Sequence, residues 1–232
     1  MSRTAIVTGG SGGIGLACGE ALLARGYEVV LTSRRPERLE AAAASIGARW
    51  VAADAADETS FAAVVEAVDR IDLVVHAAGV LGGTFARKET PESFDEVIRA
   101  NLRSTYVVTH AALPKMGVGG RIIFTSSSSS VQPQRGRTAY SASKAGMNAY
   151  AAALAGEVER DGINVHVVIL APVETAMLED VTFPMHALQV QDVVDTVVFL
   201  DSLSPRVVLP EVFIRAHTDG PLAPAPTVPK SS

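Results

Sequence analysis

The sequence predicts a doubly wound α/β domain, a parallel sheet of about seven strands with helices on both faces. Strand-like and helix-like stretches alternate along the chain, the strands are apolar throughout, and a glycine-rich turn follows the first strand. Apolar strands have no face suited to water, so helices must cover both sides of the sheet. We place this single domain at residues 1–219 and expect the proline-rich remainder, residues 220–232, to be an extended or disordered tail.

The alternation of elements continues along the whole domain. Apolar runs of strand length lie at residues 4–7, 28–32, 49–52, 73–76, 121–125, 164–170 and 212–214. Apolar residues recur at helical spacing at, for example, residues 14–25, 61–68, 94–113, 140–160 and 193–203. Ligands of such folds bind at the carboxyl ends of the strands, so chemistry is expected in the loops that follow the strands.

Composition excludes several classes of function. The net charge is −5 without a long basic run, so the chain offers nucleic acid no electrostatic footprint. Its apolar runs, such as residues 165–173, are far shorter than the roughly 20 residues that span a bilayer. The first strand begins at Thr4, which leaves no room for a signal peptide, and Cys18 is the only cysteine. We expect a cytoplasmic protein that binds neither nucleic acid nor membrane, and no metal site is predicted.

The turn after the first strand, residues 8–15, reads TGGSGGIG and leads directly into a helical pattern. Glycines let the backbone turn tightly and let a pyrophosphate approach a helix N-terminus, where free N–H groups and the helix dipole favour anions. Such a turn can also be only a tight connection. The spacing of Gly9, Gly13 and Gly15 resembles the TGxxxGxG turn of the short-chain dehydrogenase/reductase family, which implies a Rossmann-type fold and a nicotinamide dinucleotide cofactor.

The end of the second strand, LTSRR, indicates which dinucleotide is bound. Ser33 stands where NAD-selective relatives carry an acidic residue that binds both ribose hydroxyls. Its hydroxyl can donate to a 2′-phosphate, and the Arg34 guanidinium can pair with that phosphate or stack on the adenine. We therefore expect NADP(H) rather than NAD(H), with Arg35 as a solvated turn residue. Asp54 resembles the acid that accepts a hydrogen bond from the adenine amino group, although it could also cap the next helix.

A Tyr-x-x-x-Lys pair carries the predicted catalysis. Tyr140 and Lys144 are four residues apart in a helical pattern, so the phenol and the ammonium lie on one face. A nearby cation lowers the pKa of a phenol from about 10, which lets Tyr140 act as acid or base near neutrality. The family resemblance selects Ser127 from five consecutive serines as the hydrogen-bond donor to the substrate oxygen. It also identifies Asn101 as a helix residue whose carbonyl holds a water beside the lysine, which requires a local break in the helix.

Other motifs match the family with departures. Residues 76–79 read HAAG where relatives read NNAG, and His76 is interpreted as a hydrogen-bonded core residue. The turn LAPVETAM replaces PGxVxT and lacks its glycine, and the lid at residues 175–191 is about ten residues shorter than in relatives. The residues expected to contact the cofactor are Gly9, Ser11, Gly13, Ile14, Gly15, Ser33, Arg34, Asp54, Ala55, Ala77, Ala78, Gly79, Tyr140, Lys144, Pro172, Val173 and Thr175.

The resemblance implies an NADP(H)-dependent oxidoreductase that interconverts a small-molecule carbonyl and alcohol by hydride transfer. The alternative is a regulatory protein that binds NADP(H) with little turnover; the short lid favours it, and the complete set of Asn101, Ser127, Tyr140 and Lys144 opposes it. An epimerase of the extended branch would need a larger C-terminal domain. Relatives commonly pair the helices at residues 94–113 and 140–160 into homodimers and homotetramers, and we expect the same assembly here.

Overall fold

The computed structural model describes residues 2–176, 185–219 and 221–224. These residues form one parallel sheet in the order β3-β2-β1-β4-β5-β6-β7. The strands are β1 (Arg3–Thr8), β2 (Tyr27–Ser33), β3 (Arg49–Ala52), β4 (Leu73–His76), β5 (Arg121–Ser127), β6 (Asn164–Leu170) and β7 (Glu211–Ile214). The strand order reverses between β1 and β4, which opens a crevice at the carboxyl ends of these two neighbours. The predicted doubly wound fold is confirmed.

Seven α-helices connect the strands in the described part of the chain. They are α1 (Gly13–Ala24), α2 (Pro36–Ile46), α3 (Glu58–Glu66), α4 (Pro91–Ile98), α5 (Ser104–Ala112), α6 (Thr138–Val158) and α7 (Val190–Ser202). A π-helix at Arg99–Arg103 joins α4 to α5, so the single helix predicted at residues 94–113 is interrupted near its middle. None of the helices described is both long and apolar enough to cross a bilayer.

Helices pack against both faces of the sheet, as the apolar strands require. Neighbouring residues of β1 point to opposite faces, and both are fully buried. Ile6 belongs to a core cluster with Phe61 of α3 and Met147 of α6, whereas Val7 belongs to a second cluster with Leu22 of α1. The sheet is therefore the middle layer of three, and only its ends and edges are left for solvent or ligands.

A polar cluster around the buried Asp201 side chain connects α7 to the amino ends of β1 and β2. The Tyr27 hydroxyl donates a hydrogen bond of 2.6 Å to the Asp201 carboxylate, and the guanidinium of Arg3 lies 3.2 Å from the same carboxylate. Arg25 approaches it at 3.7 Å, and Arg3 also lies over the Tyr27 ring. The cluster is at the end of the sheet opposite the crevice, which separates this support from the predicted chemistry.

Only residues 221–224 of the predicted tail are described. They contain no helix or strand, and the carbonyl oxygen of Pro224 lies 2.8 Å from Nδ1 of His186. The rest of the tail, and residues 177–184 of the predicted lid, lie outside the described residues.

Candidate active site

A cavity of about 780 Å³ opens at the carboxyl ends of β1, β4, β5 and β6. A smaller cavity of about 230 Å³ lies beside it, at the ends of β2 and β3. Ser11 and Gly79 line both, so the two form one elongated site. This is the crevice that the strand order predicts for a dinucleotide.

The glycine turn packs directly against its neighbours. A Cβ atom on Gly15 would lie 2.4 Å from the carbonyl oxygen of Gly9, and one on Gly9 would lie 2.9 Å from the backbone of Ala77. Any larger residue would therefore push α1 or the loop after β4 out of place. No side chain of the described residues caps α1, and Gly13 and Ile14 line the larger cavity, which leaves the first turn of α1 for an anion.

The smaller cavity brings together the residues predicted to bind adenosine, which are Ser33, Arg34, Asp54 and Ala55. The Ser33 hydroxyl oxygen is shielded from solvent and has no hydrogen-bond partner among the described residues. A ligand in this cavity can supply the missing partner, as a 2′-phosphate would. Arg35 is exposed immediately before α2, as the predicted solvated turn residue would be, and it also lines this cavity.

Asp54 has both carboxylate oxygens engaged. Oδ1 accepts a hydrogen bond from the N–H of Ala56 at 2.9 Å, and Oδ2 accepts one from Arg99 at 2.8 Å. Burial raises the pKa of Asp54. The two hydrogen bonds and the charges of Arg99 and Arg34 together lower it by more, so the net pKa lies below its ordinary value. The carboxylate is thus a fixed negative charge in the cavity.

The suggestion that Asp54 caps the next helix is wrong. The N-cap of α3 is Asp57, whose carboxylate accepts a hydrogen bond from the N–H of Ser60 at 2.7 Å. The helix begins three residues later than that suggestion required, and Asp54 stays in the loop that borders the cavity.

The predicted catalytic side chains Ser127, Tyr140 and Lys144 line the larger cavity together. Lys144 is 5% exposed, and its ammonium donates to the carbonyl of Thr125 at 2.9 Å; burial lowers its pKa to about 8. Burial raises the pKa of Tyr140, whereas a hydrogen bond with Ser127 and the charge of Arg137 lower it, and the net pKa is raised. The net lowering expected from a nearby cation is not found, because desolvation of the phenol outweighs the Ser127 hydrogen bond and the charge of Arg137.

The serines at residues 126–130 differ in their hydrogen-bond partners. Ser126 donates to the side chain of Asn148 at 2.5 Å, and Ser130 accepts a hydrogen bond from the same amide at 3.0 Å. Ser127 accepts from the N–H of Ser129 at 3.1 Å, and its hydroxyl lies beside Tyr140 in the cavity. Its choice as the catalytic serine, which the family resemblance implied, stays a prediction.

Asn101 does not line either cavity but lies fully buried behind them, in the π-helix. Its amide clamps Val80: Oδ1 accepts from the Val80 N–H at 2.8 Å, and Nδ2 donates to the Val80 carbonyl at 3.1 Å. Nδ2 also donates to Ser143 at 3.0 Å, and the Asn101 carbonyl accepts from Thr105 at 2.8 Å. The break in the helix that the family resemblance implied is present, and the side chain has a further positioning contact.

His76 is fully buried, as predicted, but the predicted hydrogen bond is wrong. Neither ring nitrogen has a hydrogen-bond partner among the described residues, although the backbone of Ser104 is near enough to raise the pKa slightly. Burial, followed by the charge of Lys144, lowers the pKa of His76 to about 4. The ring therefore stays neutral beside Phe124.

The segment after β6 reaches the glycine turn without the usual glycine. Pro172, Val173 and Thr175 line the larger cavity, and the Pro172 carbonyl accepts from the N–H of Leu188 at 2.8 Å. The Thr175 methyl group lies 3.7 Å from the position of a Cβ on Gly13. The remaining predicted cofactor residues Ala77, Ala78 and Gly79 line the same cavity.

Sequence reasoning missed four arginines at the site. Arg38 lines both cavities, Arg99 lines the smaller one, and Arg135 and Arg137 line the larger one. Their proximity depends on how loops from different strands meet, for which the sequence carries no local signal. Among the described residues, no cluster of His, Cys, Asp or Glu side chains could hold a metal ion.

Comparison with known proteins agrees with this site. The family model of the short chain dehydrogenases matches residues 3–184. An uncharacterized oxidoreductase of Staphylococcus epidermidis is 31% identical over 222 residues, covering 92% of this chain and 96% of its own. The acetoacetyl-CoA reductase of Cupriavidus necator is 33% identical over 209 residues, covering 84% and 81%. A short chain dehydrogenase from Burkholderia cenocepacia, solved in complex with NADP, is 29% identical with a TM-score of 0.82, covering 91% of this chain and 96% of its own.

Proposed function

The chain belongs to the short-chain dehydrogenase family, and on this premise we propose that it is an NADP(H)-dependent oxidoreductase that interconverts a carbonyl and an alcohol. The observation that carries the proposal is the convergence of Ser127, Tyr140 and Lys144 in the cavity that begins at the glycine turn. The relative from Cupriavidus necator is a reductase of a ketoacyl thioester by its name, which supports the same reaction class.

The residues of the site fit an NADP(H) cofactor. The close contact of Gly15 with Gly9 leaves a backbone cradle for the pyrophosphate, and the unpartnered Ser33 hydroxyl and the Arg34 guanidinium suit a 2′-phosphate. No acidic side chain stands at the end of β2 to repel that phosphate. When bound, NADPH supplies the hydride. We propose that Lys144 binds the nicotinamide ribose, since its buried ammonium donates to the Thr125 carbonyl and has two further N–H groups for a ligand.

In the reduction direction, Tyr140 donates its phenolic proton to the carbonyl oxygen while the carbonyl carbon is reduced. The raised pKa keeps the phenol protonated near neutrality, which suits a proton donor. Ser127 donates a hydrogen bond to the same oxygen and stabilises the negative charge that develops there. In the oxidation direction, the same phenol receives the alcohol proton after it has lost its own.

We propose that the tyrosine is reprotonated from solvent through Lys144 and a water near Asn101. The π-helix at Arg99–Arg103 is the element that gives the asparagine backbone its irregular geometry. The amide side chain of Asn101 holds Val80 in the cavity wall, which adds a positioning role to the relay.

The test of this function is turnover by Tyr140→Phe. We expect NADPH oxidation on a panel of ketones, aldehydes and keto acids to fall by at least about 100-fold, with the NADPH dissociation constant changed by less than about threefold. Tyr150→Phe, in the same helix but in the core rather than the cavity, should keep wild-type turnover. Undiminished turnover by Tyr140→Phe would overturn the mechanism, and tight NADPH binding by the wild type without turnover would favour the regulatory alternative.

The cofactor assignment is tested by titrating NADPH and NADH into Arg34→Ala. We expect about 10- to 100-fold weaker NADPH binding and unchanged NADH binding, because only NADPH carries the 2′-phosphate. Arg160→Ala, at an exposed position beyond the end of α6, serves as the charge control. Equal affinity of the wild type for both dinucleotides would contradict the assignment.

We also propose a homodimer or homotetramer assembled through α4, α5 and α6, in a reducing cytoplasmic compartment. Phe94 and Tyr106 are large exposed side chains on this face, at 39% and 42% exposure. Cys18 is buried, and burial raises its pKa to about 12, which suits an unreactive thiol. A monomeric mass by light scattering would contradict the assembly.

A further inference from the structure

One wall of the larger cavity is built by two loops. Thr84 and Phe85 belong to the loop after β4, and residues 134–137 belong to the loop that leads into α6. A Cβ on Gly136 would lie 3.6 Å from the Phe85 ring, so the two loops are in contact. The residues expected to bind the dinucleotide lie elsewhere, so this wall borders the space left for a substrate.

All charged side chains that line this cavity among the described residues are positively charged. Its charged side chains are Arg38, Arg135, Arg137 and Lys144, and no Asp or Glu lines it among the residues described. This is the reverse of the whole chain, which has 25 acidic and 20 basic residues. A site lined by one charge in an oppositely charged protein concentrates ligands of the opposite charge.

Two of these cations are not required by the cofactor. Arg38 lines both cavities, and the Lys144 ammonium lies 3.6 Å from the position of a Cβ on Gly79, where a dinucleotide would use them. Arg135 and Arg137 lie in the wall formed by the loops, and neither makes an ion pair with any described carboxylate. Glu89, whose carboxylate lies 3.5 Å from the position of a Cβ on Gly83, accepts hydrogen bonds from Ser93 and Thr138.

Arg137 is the closer of the two arginines to the chemistry. It precedes Tyr140 by less than one helical turn, it is half-buried, and its charge acts on the phenol. Arg135 is exposed at the rim. A half-buried guanidinium loses hydration, and a bidentate carboxylate or phosphate replaces the lost hydrogen bonds.

We propose that the substrate is a carbonyl compound that carries a negatively charged group, which Arg137 binds beside the reacting carbonyl, with Arg135 as a second contact at the rim. The inference rests on the proposed function, because Tyr140 marks the reacting carbonyl. The charged group is a carboxylate of a keto acid or a phosphate of a thioester carrier, and both share the anionic chemistry that a guanidinium recognises.

The first experiment compares matched substrates. Turnover of 3-oxobutanoate, its methyl ester and its coenzyme A thioester is measured with wild type, Arg137→Gln, Arg135→Gln and Arg137→Lys. We expect Arg137→Gln to lower kcat/KM for a charged substrate by about 10- to 100-fold and for the neutral ester by less than about threefold. Arg137→Lys should recover part of the loss, and Arg87→Gln, an exposed arginine outside the cavity lining, should change neither.

The outcomes separate the two anion sources. A loss confined to the free acid identifies a carboxylate site at Arg137, and a loss confined to the thioester, shared with Arg135→Gln, identifies a phosphate site. Either supports the inference. Unchanged ratios of charged to neutral substrate in both glutamine variants would overturn it, even if the protein reduces ketones well.

The second experiment does not depend on turnover. Binding of 3-oxobutanoate and of the thioester to NADPH-loaded Tyr140→Phe is measured by calorimetry and compared with Tyr140→Phe/Arg137→Gln and Tyr140→Phe/Arg135→Gln. We expect binding of at least one anion to weaken by about 10-fold or more in a glutamine variant. Arginine-dependent binding without turnover by the wild type would overturn the proposed function and leave only an anion-binding site at Arg137, whereas arginine-independent binding would overturn the inference alone.

Discussion

His76 lies completely buried at the end of β4, next to Phe124 and near Lys144. Burial, and then the charge of Lys144, lowers its pKa to about 4 from the ordinary 6.5. The unfolded chain therefore binds a proton more readily than the folded protein does. The stability associated with neutral His76 is present above about pH 6.5 and is lost as the pH falls toward about 4.

We expect His76→Asn to remove this part of the acid sensitivity. Between about pH 7 and about pH 5, the wild type should lose about 2 kcal/mol of unfolding free energy through this one group, and the variant should be spared that loss. Urea unfolding at the two pH values measures it. His166, which is also buried with a lowered pKa, leaves a residual dependence in both proteins. His110→Asn, at an exposed position, is the control, and equal pH dependence of wild type and His76→Asn would refute the argument.

At the scale of elements, the π-helix between α4 and α5 links the cavity wall to the core. Asn101 sits inside it, with its amide bonded to both backbone groups of Val80 and to Ser143 of α6. A regular α-helix would rotate every later residue relative to this contact. The irregular turn is therefore what lets one side chain join the loop after β4 to α6.

We expect Asn101→Ala to lower both stability and turnover. The variant leaves the Val80 N–H and carbonyl without their partner, which should cost about 2–3 kcal/mol of unfolding free energy, and it frees the cavity wall to move. Thr109→Val, which removes a buried hydroxyl from α5 away from the cavity, should cost about 1 kcal/mol or less and keep turnover. Wild-type kcat/KM in Asn101→Ala would show that the clamp has no part in the reaction.

In the molecule as a whole, one end of the sheet carries the candidate active site and the other carries a stabilising polar cluster. The carboxyl ends carry the cavities, and the amino ends carry the Asp201 cluster with Arg3, Arg25 and Tyr27. The Asp201 side chain is 2% exposed, and these partners offset the free-energy cost of burying its negative charge. The cluster connects β1, near the start of the chain, to α7, and so links distant parts of the sequence.

Asp201→Ala should destabilise the protein without affecting its cofactor site. Removing one partner of a buried pair leaves the Tyr27 hydroxyl unpaired, and we expect a loss of about 3 kcal/mol of unfolding free energy. NADPH affinity should stay within about twofold, because the cluster lies at the far end of the sheet. Asp195→Ala, exposed on the same helix, is the matched control. A loss below about 1 kcal/mol for Asp201→Ala would show that the cluster is dispensable.

Much of the fold follows from local patterns. The alternation of strands and helices, the glycine turn and the Tyr140–Lys144 spacing depend on residues close together in the chain, and the structure contains all three. The break within residues 94–113 was expected only through the family resemblance, because hydrophobic spacing alone predicts one continuous helix there.

Local sequence patterns are sufficient to predict the fold class, the glycine turn after β1 and the shared helix face of Tyr140 and Lys144, since spacing along a strand or helix sets which side chains share a face. Three features arise only from tertiary packing. They are the burial that raises the pKa of Tyr140, the ion pair between Arg99 and Asp54, and the cluster of cations at the cavity. These features join residues distant in sequence, and the desolvation and charge that each group experiences exist only after the loops of different strands have packed together.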